Sequence, residues 1–394
     1  MTIDTTVTYL HSGITGHPAL TGQADAMLGV LNACLVDGWG AAQPDSIVIV
    51  SGVATVTRNA GHPFLVDMVA EISNATVTGG SINGRQKVLS ITGTTWTFDA
   101  TGISDQTATG GSISIKVASA GWEKPYSTTH IAAYKSQNVA STYCLLRVDD
   151  TAAKNARIVG YETMSDINTG LGPFPTAAQM NGGLYLPKST SADATERNWT
   201  FIGDDRGFYL SIQWASGYYS TFYFGDFASR KSPDPYACAI IAPNADVTAY
   251  TPGSNQVTSS EVFYAYDTTA AALWMPRAVS GVGSSKQGYK TAPMPIGQGN
   301  GWHSGAAGSY WMLFPNGANN ELYLTPINIA ESYSSYFTFR GTLPGAYFCP
   351  MVMNNAFAHL DRINGIDNLA NRALRSIANS YGSGFIDVTG PWTR

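Results

Sequence analysis

Apolar positions recur along this chain with two different periods. Residues 1–20 read as an extended arm, because Gly13, Gly16 and Pro18 interrupt any helix. From Thr21 the spacing changes. Ala24, Met27, Leu28, Leu31, Cys34 and Leu35 return at steps of three and four, the stripe of an amphipathic helix. Thr21 stands where an N-cap is expected and Gly38 where a helix terminates, so a helix is predicted over about Thr21–Asp37. After it the period drops to two.

Six short β-rich runs follow: Ile47–Val50, Val53–Thr57, Asp67–Ile72, Lys87–Thr92, Trp96–Asp99 and Ile113–Val117. Ser51-Gly52, Asn83-Gly84 and Gly110-Gly111 punctuate them, and Asn-Gly supplies the positive φ that tight turns need. They predict a small barrel or sandwich at 45–119. Longer alternating or aromatic strands are expected at Tyr143–Asp149, Ala156–Glu162, Trp199–Gly203, Phe208–Trp214 and Tyr218–Gly225, with Gly203–Gly207 as a hairpin turn. Beyond residue 250 the strands expected are Val262–Tyr266, Leu273–Pro276, Tyr310–Phe314, Leu322–Ile327 and Phe337–Arg340. Asp361–Ser380 carries helix-like apolar spacing, but Gly365 and its asparagines favour a loop and then a strand. The pattern predicts a mainly β chain of sandwich and barrel modules with one N-terminal amphipathic helix. Its expected parts are an arm and helix at 1–44 packed on the main domain, an inserted barrel at 45–119, a central β domain at 120–250 and a C-terminal β domain at 251–394.

Composition sharpens this. Only 12% of the residues are charged, against about 25% in an ordinary domain, while 44% are hydrophobic and 11% aromatic. That excludes a coiled coil and opposes intrinsic disorder. The 22 basic and 27 acidic residues give a net charge of −5, no basis for nucleic-acid binding. The first basic residue is Arg58, so no signal peptide is expected, and no apolar run approaches membrane-spanning length. Cys34, Cys144, Cys238 and Cys349 are widely spaced without a CxxC pair, which points to thiols of a protein made in the cytoplasm.

Chemistry-bearing patterns are sparse. Asp149-Asp150 beside Arg147 and Arg157 reads as a strand end with surface ion pairs, and Asp204-Asp205 as turn residues. No HxxxH, HExxH or GxSxG occurs, and Gly297–Gly301 lacks the lysine and helix of a phosphate loop. No catalytic residue, metal ligand or cofactor is expected, nor is enzymatic activity. The rings are denser: Trp214, Tyr218, Tyr219, Phe222, Tyr223 and Phe224 fall within eleven positions. Strand alternation sends Tyr218, Phe222 and Phe224 inward and Tyr219 and Tyr223 outward. Two readings stay open, core packing or exposed rings that stack on sugars or bury against another subunit. Trp214, Tyr219, Tyr223, Trp302 and Trp311 are therefore candidate interface or glycan contacts. Charge-poor, ring-rich surface also suits a subunit of an obligate assembly.

Tyr9–Gly13 followed by Gly16, Pro18 and Leu20–Gly22 resembles the opening of a family of tailed-bacteriophage virion proteins. Leu145–Asp150, Ala156–Met164, Asp166–Gly170, Gly172–Pro175, Phe224–Asp226, Ser229–Ser232, Arg340–Gly345 and Asp387–Trp392 continue the likeness in order. The 45–119 stretch is similar instead to a small β-barrel repeated across phage tail proteins. The resemblance implies a virion protein of the tail-tip or baseplate cluster that assembles with other tail proteins, as a homo-oligomer of three- or six-fold order. Host-glycan receptor binding and capsid decoration are the alternatives, and the loops with Asp149, Asp204 and Asp226 are expected to be surface connectors.

Overall fold

The computed structural model describes residues 3–249, 262–263, 273–291, 312–333, 336–349, 351–352, 356–366, 369–379 and 382–394. The chain is mainly β, with 46% of residues in strands, arranged in several antiparallel sheets. Among the described residues the largest sheet has 13 strands, twelve on one path and Ala228–Ser229 paired beside it with residues 341–342. Its path runs from Thr8–His11 through Trp199–Gly203, Gly207–Ala215, Tyr218–Asp226 and Cys238–Ile241 to Leu273–Met275. It continues through Lys286–Thr291, Thr325–Tyr333, Tyr336–Phe348, Gly382–Asp387 and Ala373–Asn379 to Arg362–Asn364.

The sheet doubles back, and its first strands face its last. Tyr209 Oη donates to the Pro344 carbonyl at 2.8 Å, and the Arg375 guanidinium lies over the Tyr9 ring at 4.7 Å. The boundary expected at 250/251 is thereby corrected. Ile240 pairs with Trp274 and Ile241 with Leu273, so one hydrogen-bonded sheet crosses it. Sequence alone shows a long gap between strands, whereas pairing ignores chain distance. Val262 and Phe263, expected to begin a strand, are in a turn where Val262 N donates to Thr221 O. The rest of that run lies outside the described residues.

A second sheet of six strands, built from Trp122–Thr128, Ile131–Ser136, Leu145–Asp149, Asn155–Asp166, Thr169–Phe174 and Leu184–Pro187, covers one face of the large one. Trp122 joins the two: its ring meets Phe208 edge-on at 5.5 Å and its Nε1 donates to Asp204 O at 2.8 Å. The helix also packs on this sheet. Met27 N and Leu28 N donate to Asp150 Oδ2, and Tyr134 Oη donates to Asn32 Oδ1. The helix is shorter than expected: an α-helical stretch Ala26–Leu31, then a π-helical turn Asn32–Asp37. It starts after Thr21 because Asp25, with φ 66°, takes a left-handed conformation, and the donors of the first turn find their acceptor in Asp150 rather than in Thr21.

Residues 39–117 form two small sheets whose strands pair only with one another. Ile47, Ile49, Val56, Trp96, Phe98, Ile72 and Ile115 fill the space between them. The chain enters and leaves side by side. Val117 pairs with Trp39, Ala120 N donates to Cys34 O, and Ser119 Oγ donates to Val36 O. Gly38 sits at this junction with φ 67°, and a Cβ there would fall 2.1 Å from the Val117 carbonyl, so only glycine fits.

Candidate functional site

The aromatic run of the sequence lies on two central strands of the large sheet, Gly207–Ala215 and Tyr218–Asp226. Alternation holds, but both faces are covered. Phe208, Phe222 and Phe224 point towards Trp122, whereas Tyr209 and Tyr223 point towards the C-terminal strands. The outward orientation expected of Tyr223 is therefore corrected: it is fully buried. Its ring packs on Tyr209 at 4.7 Å, its hydroxyl donates to Asp226 O at 2.6 Å, and burial pushes its pKa up. Trp214 is also fully buried, with Nε1 donating to Ser220 Oγ. Neither ring is open to a glycan or a partner. Half of an antiparallel sheet often faces water, but here a second layer on each side removes that face. Tyr218 and Tyr219, nearer the hairpin tip, are half-buried, and the Tyr219 ring packs on His359 at 4.7 Å. Trp302, Trp311 and Gly297–Gly301 lie outside the described residues.

The acidic loops are not surface connectors, with Asp149 alone partly exposed. Asp204 and Asp226 are almost wholly buried. Asp204 Oδ1 accepts from Arg206 N and Gly207 N, the local cap that the turn sequence encodes, and also from Arg394 Nη2. Asp226 Oδ2 accepts from Arg206 Nε at 3.0 Å and from Thr142 N, and Arg394 Nε donates to Asp226 O. Burial raises the Asp226 carboxyl pKa despite these donors. Asp150 is not a surface ion pair either. It is buried with Lys188 against the start of the helix, and burial raises its pKa while lowering that of Lys188. The oxygens of Asp150, Asp204 and Asp226 accept hydrogen bonds from the helix, from the Thr142 loop and from Arg394 at the chain's end, so these carboxylates tie distant segments of the fold together. Among the described residues no group of three or more His, Cys, Asp or Glu is placed to hold a metal ion. Cys34, Cys144, Cys238 and Cys349 are all buried.

The exposed rings lie elsewhere. On the hairpin Thr325–Tyr333 and Tyr336–Phe348, Phe337 is 61% and Phe339 43% exposed. Phe337 meets Tyr289 of the neighbouring strand edge-on at 4.9 Å, and the Arg230 guanidinium lies over Phe339 at 4.9 Å. The other face of the same strands is interior: Arg340 is buried against Asp234, and Glu331 accepts from Val279 N. Among the described residues, 337–339 pair on one edge only, with 330–332. The signal for this face was present as Phe-Thr-Phe-Arg alternation. The Tyr218–Phe224 stretch is denser in rings, so ring density alone points to it rather than to Phe337 and Phe339.

No family model matches the chain, and no curated protein matches it. No helix among the described residues is long and apolar enough to cross a membrane.

Proposed function

We propose that this chain is a structural component of a bacteriophage tail, in its baseplate, tail tip or fibre-attachment region, and that it acts by subunit assembly. The observation that carries this reading is the aromatic face of Tyr289, Phe337 and Phe339 beside a strand edge that, among the described residues, pairs on one side only at 337–339. Such a face is unfavourable in water and invites a covering chain, by ring burial and by main-chain pairing. The low content of ionisable side chains and the ordered likeness to virion proteins support the same reading. Repetition around the tail axis then follows from one head-to-tail contact whose rotation closes into a ring, three- or six-fold.

The test is the position of the chain in an intact particle, by cryo-imaging with a bound antibody fragment, together with the mass of the purified protein in solution. Density at the distal tail and a multiple of the subunit mass are expected. A stable monomer absent from virions overturns the reading, and density on the head transfers the chain to capsid decoration.

The alternative, a host-glycan receptor-binding protein, is supported by Tyr219, which is half-buried where the candidates Trp214 and Tyr223 on the same pair of strands are fully buried. A glycan array separates the two, since the assembly reading predicts no ligand that engages Tyr219.

A further inference from the structure

A cleft of about 590 Å3 opens between the small barrel and the C-terminal strands, within the range of small-molecule sites. Its charged lining is three cations, Lys87, Arg362 and Arg372, against two carboxylates, Asp4 and Asp67. Asp67 is already matched: Arg362 Nε meets its Oδ2 at 2.8 Å and Arg375 Nη2 meets the same oxygen at 2.7 Å. Arg372 is engaged by Asp387 at 3.0 Å, and Asp4 Oδ1 accepts from Thr6.

Lys87 differs. Its buried ammonium donates to Val7 O at 3.0 Å and Val388 O at 2.6 Å, which uses two of three N–H groups. Among the described residues no carboxylate lies within ion-pair distance of it. Burial pushes its pKa down to about 8, so at neutral pH it still carries its proton. A protein of net charge −5 thus holds a buried cation that, among the described residues, no carboxylate contacts; Asp67, Asp4 and Asp387 act on it only from farther off. The remaining wall is mixed. Leu89 and Pro391 offer exposed apolar surface, and Asn364 and Asn371 offer exposed amides.

We propose that this cleft binds an acidic saccharide, a sugar whose carboxylate meets Lys87 and Arg362. The apolar face of the pyranose ring lies against Leu89 and Pro391, and Asn364 and Asn371 take its hydroxyls. A carboxylate supplies the missing counter-charge. A neutral sugar leaves Lys87 as it is, and a bare inorganic anion leaves the apolar wall and amides unused. The proposal is independent of the assembly reading, which stands or falls on particle position.

The test titrates the full chain at pH 7 with N-acetylneuraminic acid and a galacturonate oligomer, with a neutral sugar of equal size and inorganic phosphate as comparators. Saturable binding of an acidic sugar is expected, at least about tenfold tighter than the neutral one, a difference of about 1.4 kcal/mol. Arg362→Gln should weaken it by a similar factor. Because Arg362 also holds Asp67, Asn371→Glu is the second variant: it changes an exposed residue and places a negative charge at the mouth. Loss of acidic-sugar binding in Asn371→Glu with unchanged thermal unfolding supports the site. No acidic-sugar binding at millimolar concentration overturns the proposal, as does equal binding of the neutral sugar, equal displacement by phosphate, or undiminished binding in Asn371→Glu.

Discussion

Arg394 Nη2 lies 2.8 Å from Asp204 Oδ1, across 190 positions of sequence, and the pair is buried beneath Trp122 and Tyr223. The guanidinium also reaches the Asp226 carbonyl, so a single side chain links both ends of the central hairpin. Removing one member leaves the other charge buried and alone. Arg394→Ala should therefore cost about 3–5 kcal/mol of stability. Urea unfolding checks this, and a loss below about 1 kcal/mol would show that water reaches Asp204 easily.

Asp150 and Lys188 make a second prediction. Their side chains have no solvent exposure, and Asp150 also receives the first amides of the helix. Asp150→Ala should destabilise by about 3–5 kcal/mol and fray the helix. Hydrogen exchange at Met27 and Leu28 reads the second effect: their amides should lose protection before those of the Leu145–Asp149 strand.

His11 and His359 meet where the first and last strands of the large sheet face each other. His359 Nε2 is 3.2 Å from Thr200 Oγ1, and His11 pairs in register with Thr200. Burial lowers both pKa values to about 4 from an ordinary 6.5, with Arg375 and the other histidines adding to it. The native state therefore favours the neutral rings. Their contribution is fully present above pH 6.5 and is lost as pH falls towards 4. Asp150, Asp226 and Asp387, whose carboxyl pKa values burial raises, act in the opposite sense as pH falls. The informative quantity is thus the difference between wild type and His359→Phe. Wild type should lose stability relative to the variant between pH 6.5 and 4; parallel stability profiles would refute the assignment.

Phe337→Asp should leave monomer stability nearly unchanged, since that ring is mostly exposed, and Phe339→Asp should cost slightly more, since its ring also lies under Arg230. They should abolish self-association or tail incorporation. Light scattering and pull-down with particle proteins check this, and an unchanged oligomer would move the interface elsewhere.

Gly38→Ala tests the junction of the small barrel. The positive φ and the 2.1 Å approach to Val117 O predict a loss of about 1–3 kcal/mol and faster proteolysis near residues 38 and 118.

The β class, the small-barrel strands and the hairpin turn at Gly203–Gly207 were legible because they rest on local rules: period-two alternation, glycine at positive φ and an aspartate that caps its own turn. In 361–380 the expected strand is present as Ala373–Asn379, but Arg362–Asn364 is a short strand where a loop was expected, because it pairs with Ala373–Arg375 of that later strand. Other features depend on which layer lies opposite a given strand. Tyr223 alternates outward from Phe222, and only the return of the C-terminal strands turns that outer face into core. Asp204 and Asp226 read as loop residues until Arg394 reaches them from the far end of the chain. The cleft around Lys87 belongs to no single stretch, because its walls come from the arm, the barrel and the last strands. Alternation along a strand states which side chains point together. It does not state what covers them, and burial, ion pairing and pKa all follow from that cover.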